Sequence, residues 1–229
     1  MLTVSIILPT YNEAGNIVYL IEKIQKQLRN YSLEIIVVDD NSPDGTASRV
    51  LERYQKSPIV RLFVRRKDRG LAKAISFGLK RTKGEYIVVM DTDFNHNPSV
   101  LPKMVGLLNR FDLVIGSRYI QGGGMEDHLR FIMSFFYNLI IKTVLRIETM
   151  DNLSGFFAIN RYKLQQIPQG KIFFGYGEYF IRLLFFAHRN DFSIKEVPVF
   201  YENRTWGQSK SKFLSMFIDY TKTAVSLLR

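Results

Sequence analysis

Short apolar segments alternate with amphipathic segments through the first half of this 229-residue chain. The apolar runs predict strands at residues 4–8, 33–38, 60–64, 86–90 and 113–116. Apolar residues at helical spacing predict helices in the segments between them. Strands and helices in this order build a mainly parallel sheet with helices on both faces. The length is ample for one large core and short for two, so we expect one α/β domain with a C-terminal extension.

The fourth apolar run leads directly into two aspartates, Asp91 and Asp93, in the sequence YIVVMDTD. Ligands of an open α/β sheet bind outside the carboxyl ends of its strands, so both side chains are expected at a binding edge. Two carboxylates this close favour a shared cation, and Mg²⁺ is commonly held by one or two carboxylates together with substrate phosphates. The alternative for an isolated pair is a solvated, Asp-rich turn.

Polar residues also follow the first and second predicted strands, at the same expected edge of the sheet. They are residues 9–13 (PTYNE) and residues 39–42 (DDNS). A carboxylate at the end of the second strand can accept hydrogen bonds from a base or a ribose. No G-x-G-x-x-G follows the first strand and the chain has no P-loop, so a dinucleotide site is disfavoured. A helix cap explains a single residue such as Asp44, but not three polar clusters at one edge.

The net charge and the cysteine content of the chain limit which partners and which metal sites are expected. The formal net charge of +11 favours anionic partners, which include phosphates, nucleic acid and anionic membrane surfaces. The absence of cysteine excludes disulfides and thiolate metal sites, and three scattered histidines do not indicate a zinc site. The first residues lack a basic segment before their apolar run, so they predict a strand and not a signal peptide.

Two segments of the second half are unusually apolar. Residues 131–141 (FIMSFFYNLII) lie between Arg130 and Lys142 and are too short to cross a bilayer. A helix that is apolar on all sides either is part of a core or lies against an apolar surface. Residues 211–229 predict an amphipathic helix, which either packs on the domain or lies on a membrane surface.

Five motifs together give the chain a family resemblance. In chain order they are LPTYNE, VVDDNSPDGT, RGLAKAISFG, KGEYIVVMDTD and GSRY. The sequence resembles the family-2 nucleotide-sugar glycosyltransferases with the Rossmann-like GT-A fold, and among them the polyprenyl-phosphate sugar synthases of the dolichyl-phosphate mannosyltransferase group. The resemblance implies a GT-A domain over residues 1–210, with a donor half at 1–120 and an acceptor half at 121–210. Residues 211–229 would then follow as an amphipathic helix.

The resemblance also implies roles for individual residues on the donor side. The positions that match the family's nucleotide site are Pro9, Tyr11, Glu13, Val38 and Asp40. The metal-and-diphosphate motif corresponds to Asp91, Thr92 and Asp93, so Mg²⁺ or Mn²⁺ is the expected cofactor. The family usually has alanine between the aspartates and glutamine two positions after the second, whereas this chain has Thr92 and Asn95. Asn95 is a shorter amide that would reach the metal through water.

Three further positions match the family's site for the lipid phosphate: Arg118, Arg130 and Ser134. Arg204 and Lys210, in RTWGQSK, match a loop that closes on the nucleotide diphosphate, and Arg204 joins Asp91 and Asp93 as an expected catalytic residue. Independently of the family, arginine suits bidentate recognition of phosphate, which supports a phosphate-binding role for Arg118, Arg130 and Arg204.

The implied activity is inverting transfer of a hexose from a nucleoside diphosphate sugar, with GDP-mannose as the first expectation, to dolichyl or polyprenyl phosphate. We expect peripheral binding to an anionic membrane at its cytoplasmic face, with a membrane-anchor protein as a possible partner and no nucleic acid. The alternatives are a polyprenyl-phosphate glucosyltransferase and a glycosyltransferase with a soluble acceptor. A non-catalytic basic binding module would explain the charge, but it has no use for carboxylates at three strand ends.

Overall fold

The computed structural model describes residues 3–202 and 213–228. The strands are β1 Thr3–Thr10, β2 Ser32–Asp39, β3 Val60–Val64, β4 Tyr86–Val89, β5 Leu113–Ser117, β6 Gly124–Met125, β7 Phe157–Asn160, β8 Ile194–Pro198 and β9 Phe200–Tyr201. The helices are α1 Ile17–Gln27, α2 Thr46–Tyr54, α3 Leu71–Leu79, α4 Leu101–Leu107, α5 His128–Leu145, α6 Arg161–Gln166, α7 Gln169–Ile172, α8 Tyr179–Arg189 and α9 Phe213–Leu227.

Seven strands form the central sheet in the order β3-β2-β1-β4-β7-β5-β8, and β6 pairs with β9 in a separate two-stranded sheet. Every neighbouring pair in the central sheet is parallel except those of β7, which runs antiparallel to both β4 and β5. The predicted α/β class with a mainly parallel sheet is therefore confirmed. β7 begins only at Phe157, because Gly155 has a φ of +76° and turns the chain just before it.

Helices cover both faces of the sheet, as predicted. On one face α1, α2 and α4 pack on the residues of β1 and β4 that point to that side. On the other face α3, α5, α8 and α9 pack on the alternate residues of the same strands. Strands buried on both faces are nearly continuous in apolar sequence, which is why the apolar runs located them.

Helix α5 is buried along one stripe only. Tyr137, Asn138, Ile141 and Leu145 face the core. Its exposed apolar side chains are Leu129, Ile132, Met133, Phe136, Leu139, Ile140 and Val144. Helix α9 packs beside α5 and exposes Phe217, Ile218 and Val225, with Leu228 following it. Within residues 3–202 and 213–228, no helix combines the length and hydropathy that a bilayer crossing requires.

Candidate active site

A cleft of about 400 Å³ opens at the carboxyl ends of β1, β2 and β4. It brings together most of the residues expected on the donor side: Pro9, Tyr11, Glu13, Asp40, Asp91, Thr92 and Asp93. Arg69, Gly70, Leu71, Ala74 and Tyr176 complete much of the remaining wall. Val38 lies beneath the cleft, fully buried in a small cluster with Ala74.

Asp40 is held in a fixed orientation by two donors. Its Oδ1 accepts a hydrogen bond from Nε of Arg65 at 2.7 Å, and its Oδ2 accepts one from the Gly70 backbone N–H at 2.6 Å. Arg65 and Asp40 are both nearly excluded from solvent. Arg69 lies beside this pair, with its Nη1 3.4 Å from the Asp40 carbonyl oxygen and its guanidinium 6.0 Å from the Tyr11 ring. Sequence reasoning missed Arg69, which adds a cation to the cleft.

The loops after β1 and β2 are tied to each other. The Asn12 backbone N–H donates to Oγ of Ser42, and the Glu13 N–H donates to Oγ1 of Thr46, both at 2.9 Å. Burial alone would raise the pKa of Asp44, but hydrogen bonds from the Thr46 hydroxyl and from the backbone N–H groups of Ala14 and Thr46 lower it. Asp44, predicted as a helix cap, precedes the Gly45 N-cap of α2 and joins the loops that follow two strands, so the cleft wall is built from both.

The two aspartates after β4 lie in a tight turn over residues 91–96, which we call the carboxylate turn. Asn95 donates to Asp93 twice, from its backbone N–H at 3.2 Å and from Nδ2 at 3.0 Å. Phe94, between Asp93 and Asn95, has a φ of +65°, so its backbone adopts the left-handed conformation. Asn95 thus orients the Asp93 carboxylate, a contact that its predicted role as a water-mediated metal ligand does not include.

The carboxylate turn suits a hard divalent cation that is shared with a ligand. Asp91 and Asp93 supply carboxylate oxygens to the cleft, which are the donors that Mg²⁺ prefers. Across the described residues, no group of three or more histidine, cysteine, aspartate or glutamate side chains is placed to hold a metal alone. The remaining ligands would therefore come from water and from phosphate oxygens, which is the usual arrangement for Mg²⁺ with a nucleotide.

His96 is a site residue that the sequence analysis did not identify. Its side chain is fully buried and stacks on Phe156 with 4.7 Å between ring centroids. Nδ1 accepts a hydrogen bond from the Asp91 backbone N–H at 2.8 Å. Its position in the same turn as the two aspartates was the available signal. The histidine holds the turn from below and does not enter the cleft.

A second pocket of about 120 Å³ lies between α5 and α9 and brings together all three residues expected at the acceptor phosphate. It is lined by Arg118, Arg130, Met133, Ser134, Tyr137, Leu153, Met216, Phe217 and Tyr220. Oγ of Ser134 donates to the Arg130 carbonyl oxygen at 2.6 Å and also contacts the Tyr119 hydroxyl. The pocket is thus cationic at its base and apolar along its sides.

Arg118 is already paired with a carboxylate that sequence reasoning missed. Asp151 accepts hydrogen bonds from Nε and Nη2 of Arg118 at 2.7 and 2.8 Å. Burial alone would lower the pKa of Arg118, but Asp151 outweighs it and holds that pKa well above its ordinary value. Nη1 has no hydrogen bond to any residue in the described part of the chain, so it is the group that could face an anion. Arg204 and Lys210 lie outside the described residues.

Comparison with known proteins supports the family resemblance. The chain is 33% identical to dolichol-phosphate mannosyltransferase of Pyrococcus furiosus over 99% of its length, and it spans 64% of that protein. It is 30% identical to dolichol-phosphate mannosyltransferase of Mycosarcoma maydis over 98% of its length and 79% of that protein. Its fold superposes on glucosyl-3-phosphoglycerate synthase from Mycobacterium tuberculosis, solved in complex with Mn²⁺, uridine diphosphate and phosphoglyceric acid. The TM-score is 0.78 at 21% identity, over 99% of this chain and 78% of that one. Residues 5–167 match glycosyl transferase family 2, and the chain belongs to that family.

Proposed function

We propose that this protein transfers mannose, with inversion, from GDP-mannose to dolichyl or a related polyprenyl phosphate. The observation that carries the proposal is the arginine pocket between α5 and α9, where Arg118, Arg130 and Ser134 lie next to exposed apolar helix faces. A soluble sugar acceptor gives no reason for apolar walls around an anion site. The relatives named dolichol-phosphate mannosyltransferase support the same acceptor and sugar.

On the donor side, the nucleotide would lie in the cleft at the ends of β1, β2 and β4. Pro9, Tyr11, Glu13 and Asp40 would contact the nucleoside, with Val38 supporting the wall from beneath. Asp91 and Asp93 would hold Mg²⁺ or Mn²⁺ through their oxygens, with Asn95 orienting Asp93 and adding a contact through water. The ion supplies Lewis-acid neutralisation of the charge on the departing diphosphate. Thr92 would contact the diphosphate, and we assign Arg204 and Lys210 to the same group.

On the acceptor side, a phosphate monoester has a second pKa of about 6, so it is already anionic near neutral pH. Its oxygen can attack the anomeric carbon without a general base, while the bond from that carbon to the nucleotide diphosphate breaks. Arg118 and Arg130 would bind the other phosphate oxygens and fix the direction of attack. The rate would then come from positioning and from preorganised charge, which agrees with a site that has no exposed histidine among its described lining residues.

The exposed apolar faces of α5 and α9 provide a surface for the lipid. We propose that they lie on the cytoplasmic face of an anionic membrane, peripherally, with the arginine pocket opening toward the headgroups. Each Lys or Arg near such a surface adds about 1 kcal/mol, and the chain carries 32 of them against 21 acidic residues. A membrane-anchor protein could share this surface. We retain residues 1–210 as the transferase domain and 211–229 as its membrane-facing helix.

The test is transfer of label from GDP-mannose and from UDP-glucose to a short polyprenyl phosphate, with Mn²⁺ and with EDTA. We expect metal-dependent mannose in the lipid phase. Labelled glucose in the lipid phase would show that the donor sugar is glucose and not mannose, and would leave the proposed mechanism unchanged. Hydrolysis or transfer to water-soluble acceptors, with no labelled lipid, would overturn the acceptor assignment.

A further inference from the structure

A buried polar chain joins the donor cleft to the arginine pocket. It runs from the backbone of Asp91 through His96 to Tyr201, and from the Tyr201 ring to Arg118. His96 and Arg118 are almost fully buried, and Tyr201 is only 8% exposed. Buried polar groups whose hydrogen bonds are made with one another favour a single arrangement of the groups they connect. The line of contacts from Asp91 to Arg118 therefore constrains both sites together.

At the donor end, a hydrogen bond from the backbone fixes the tautomer of the neutral imidazole. Nδ1 of His96 accepts from the Asp91 N–H at 2.8 Å, so the proton of the neutral ring is on Nε2. Nε2 lies 2.8 Å from the Tyr201 hydroxyl and 3.1 Å from the Ser154 carbonyl oxygen. The Tyr201 hydroxyl in turn donates to that carbonyl oxygen at 3.2 Å. The Tyr201 hydroxyl, the nearer of these two partners, therefore helps to hold the ring, and the ring holds the carboxylate turn.

At the acceptor end, the same tyrosine packs on the phosphate-binding arginine. The Arg118 guanidinium carbon lies 4.9 Å from the centroid of the Tyr201 ring, within cation–π range. Asp151 fixes the other edge of that guanidinium. Tyr201 is itself anchored by β9, where it pairs with Met125 of β6. Two different parts of Tyr201 thus serve two different sites.

We infer that Tyr201 is a positioning residue for both substrates. Its hydroxyl, acting through His96, sets the carboxylate turn, and its ring sets Arg118. The inference rests on the proposed function for its meaning in catalysis, but the two structural contacts can be tested without turnover. Removing only the hydroxyl should loosen the donor site, whereas removing the ring as well should disturb the acceptor site.

The first test is amide hydrogen exchange of the ligand-free protein, comparing Tyr201→Phe with wild type. Because an amide exchanges faster when its hydrogen-bonded segment opens more often, we expect exchange in residues 91–96 to rise by about tenfold. Segments of β2 and β3 should stay unchanged. Tyr162→Phe is the matched control, since Tyr162 is 68% exposed on α6. Unchanged exchange in the turn, or an equal rise across the sheet, would overturn the inference.

The second test separates the two substrates. For Tyr201→Phe we expect affinity for Mn²⁺ with GDP to fall by about tenfold, the worth of one lost hydrogen bond, while KM for polyprenyl phosphate stays within about twofold. Tyr201→Leu should raise that acceptor KM as well. If both variants change both parameters alike, Tyr201 has only a general structural role. If the wild type bound neither GDP nor UDP, the proposed function would be contradicted. The hydrogen-exchange result would still decide whether Tyr201 positions the carboxylate turn.

Discussion

Arg118 and Asp151 form a bidentate ion pair from which solvent is almost excluded, with side-chain exposures of 6% and 0%. The Arg118 backbone N–H donates to the same carboxylate at 3.0 Å, so Asp151 accepts three hydrogen bonds from one residue. Glu196 then accepts hydrogen bonds from the backbone N–H groups of Met150 and Asp151. Arg118, which we assign to the acceptor phosphate, is therefore held in place by Asp151 from the side away from the pocket.

Asp151→Asn should destabilise the protein strongly. The amide keeps the shape of the side chain but leaves the Arg118 charge buried without its partner, and breaking a buried pair in this way costs about 3 to 5 kcal/mol. Urea unfolding measures the loss. Asp68→Asn is the control, because Asp68 pairs with Lys73 in solvent and such pairs contribute about 1 kcal/mol or less. Equal losses in the two variants would contradict the role of Asp151.

The order of strands and helices could be read from the sequence because the apolar periodicity changes between buried strands and half-buried helices. The direction of β7 could not. Its sequence, FAIN, is buried on both faces like its neighbours, and nothing in four apolar-rich residues encodes an antiparallel course. That course depends on the chain reaching β7 from α5 and the turn at Gly155.

The cleft that we assign to the donor could be located from the sequence because its residues directly follow strand ends, where parallel topology gathers them. The supporting residues were not. His96 contacts Tyr201 across 105 positions, and Arg118 contacts Asp151 across 33. A single sequence carries no record of such pairings, so a buried histidine and a buried aspartate look like any others until the chain is folded.

Asp91→Asn and Asp93→Asn should each lower sugar transfer by about a thousandfold or more. Both changes keep side-chain size while removing a charge from the carboxylate turn, and a bound metal supplies several kcal/mol of charge stabilisation. Initial rates at saturating Mn²⁺ measure the effect. Asp191→Asn, an exposed site with a φ of +54° that asparagine tolerates, is the control. Rates within about tenfold of wild type would contradict the assignment of the metal to this turn.

Arg130→Ala should weaken binding of the polyprenyl phosphate acceptor and leave binding of the donor unchanged. A charge-assisted hydrogen bond contributes about 1.5 to 3 kcal/mol, so we expect KM for polyprenyl phosphate to rise by about tenfold or more. Arg130→Lys should recover only part of the loss, because an ammonium cannot bind phosphate in bidentate fashion. Steady-state kinetics with each substrate varied in turn separates the two constants, with the exposed Arg110→Ala as control. An equal rise in the donor KM would contradict the assignment of Arg130 to the acceptor phosphate.

Glu34 should make stability depend on pH. Burial alone would raise the pKa of its carboxyl, but hydrogen bonds from Ser5, from the Lys83 backbone and from Arg61 lower it below the ordinary 4.5. A lowered folded-state pKa stabilises the protein above pH 4.5, and this contribution is lost as pH falls through the folded-state value. The difference in unfolding free energy between wild type and Glu34→Gln should therefore be full at neutral pH and shrink below 4.5. Glu52→Gln, at an exposed position of α2, is the comparison variant, and a flat profile for Glu34→Gln would contradict the assignment.

The exposed apolar face of α5 should determine membrane binding. Ile132 and Phe136 are 52% and 59% exposed, so replacing both with serine removes apolar area from the surface at little cost to folding. Full burial of one such side chain is worth about 1.5 to 3 kcal/mol, so the double variant should bind anionic vesicles at least about tenfold more weakly. Co-sedimentation at low salt measures it. Leu51→Ser with Tyr162→Ser removes comparable exposed apolar groups from α2 and α6 and should bind as wild type does. Added salt should weaken binding of the wild type and of both variants, because the basic surface acts through screened charge. If the α5 variant and its control bound equally, charge alone would account for membrane binding, and the lipid acceptor would have to approach by another face.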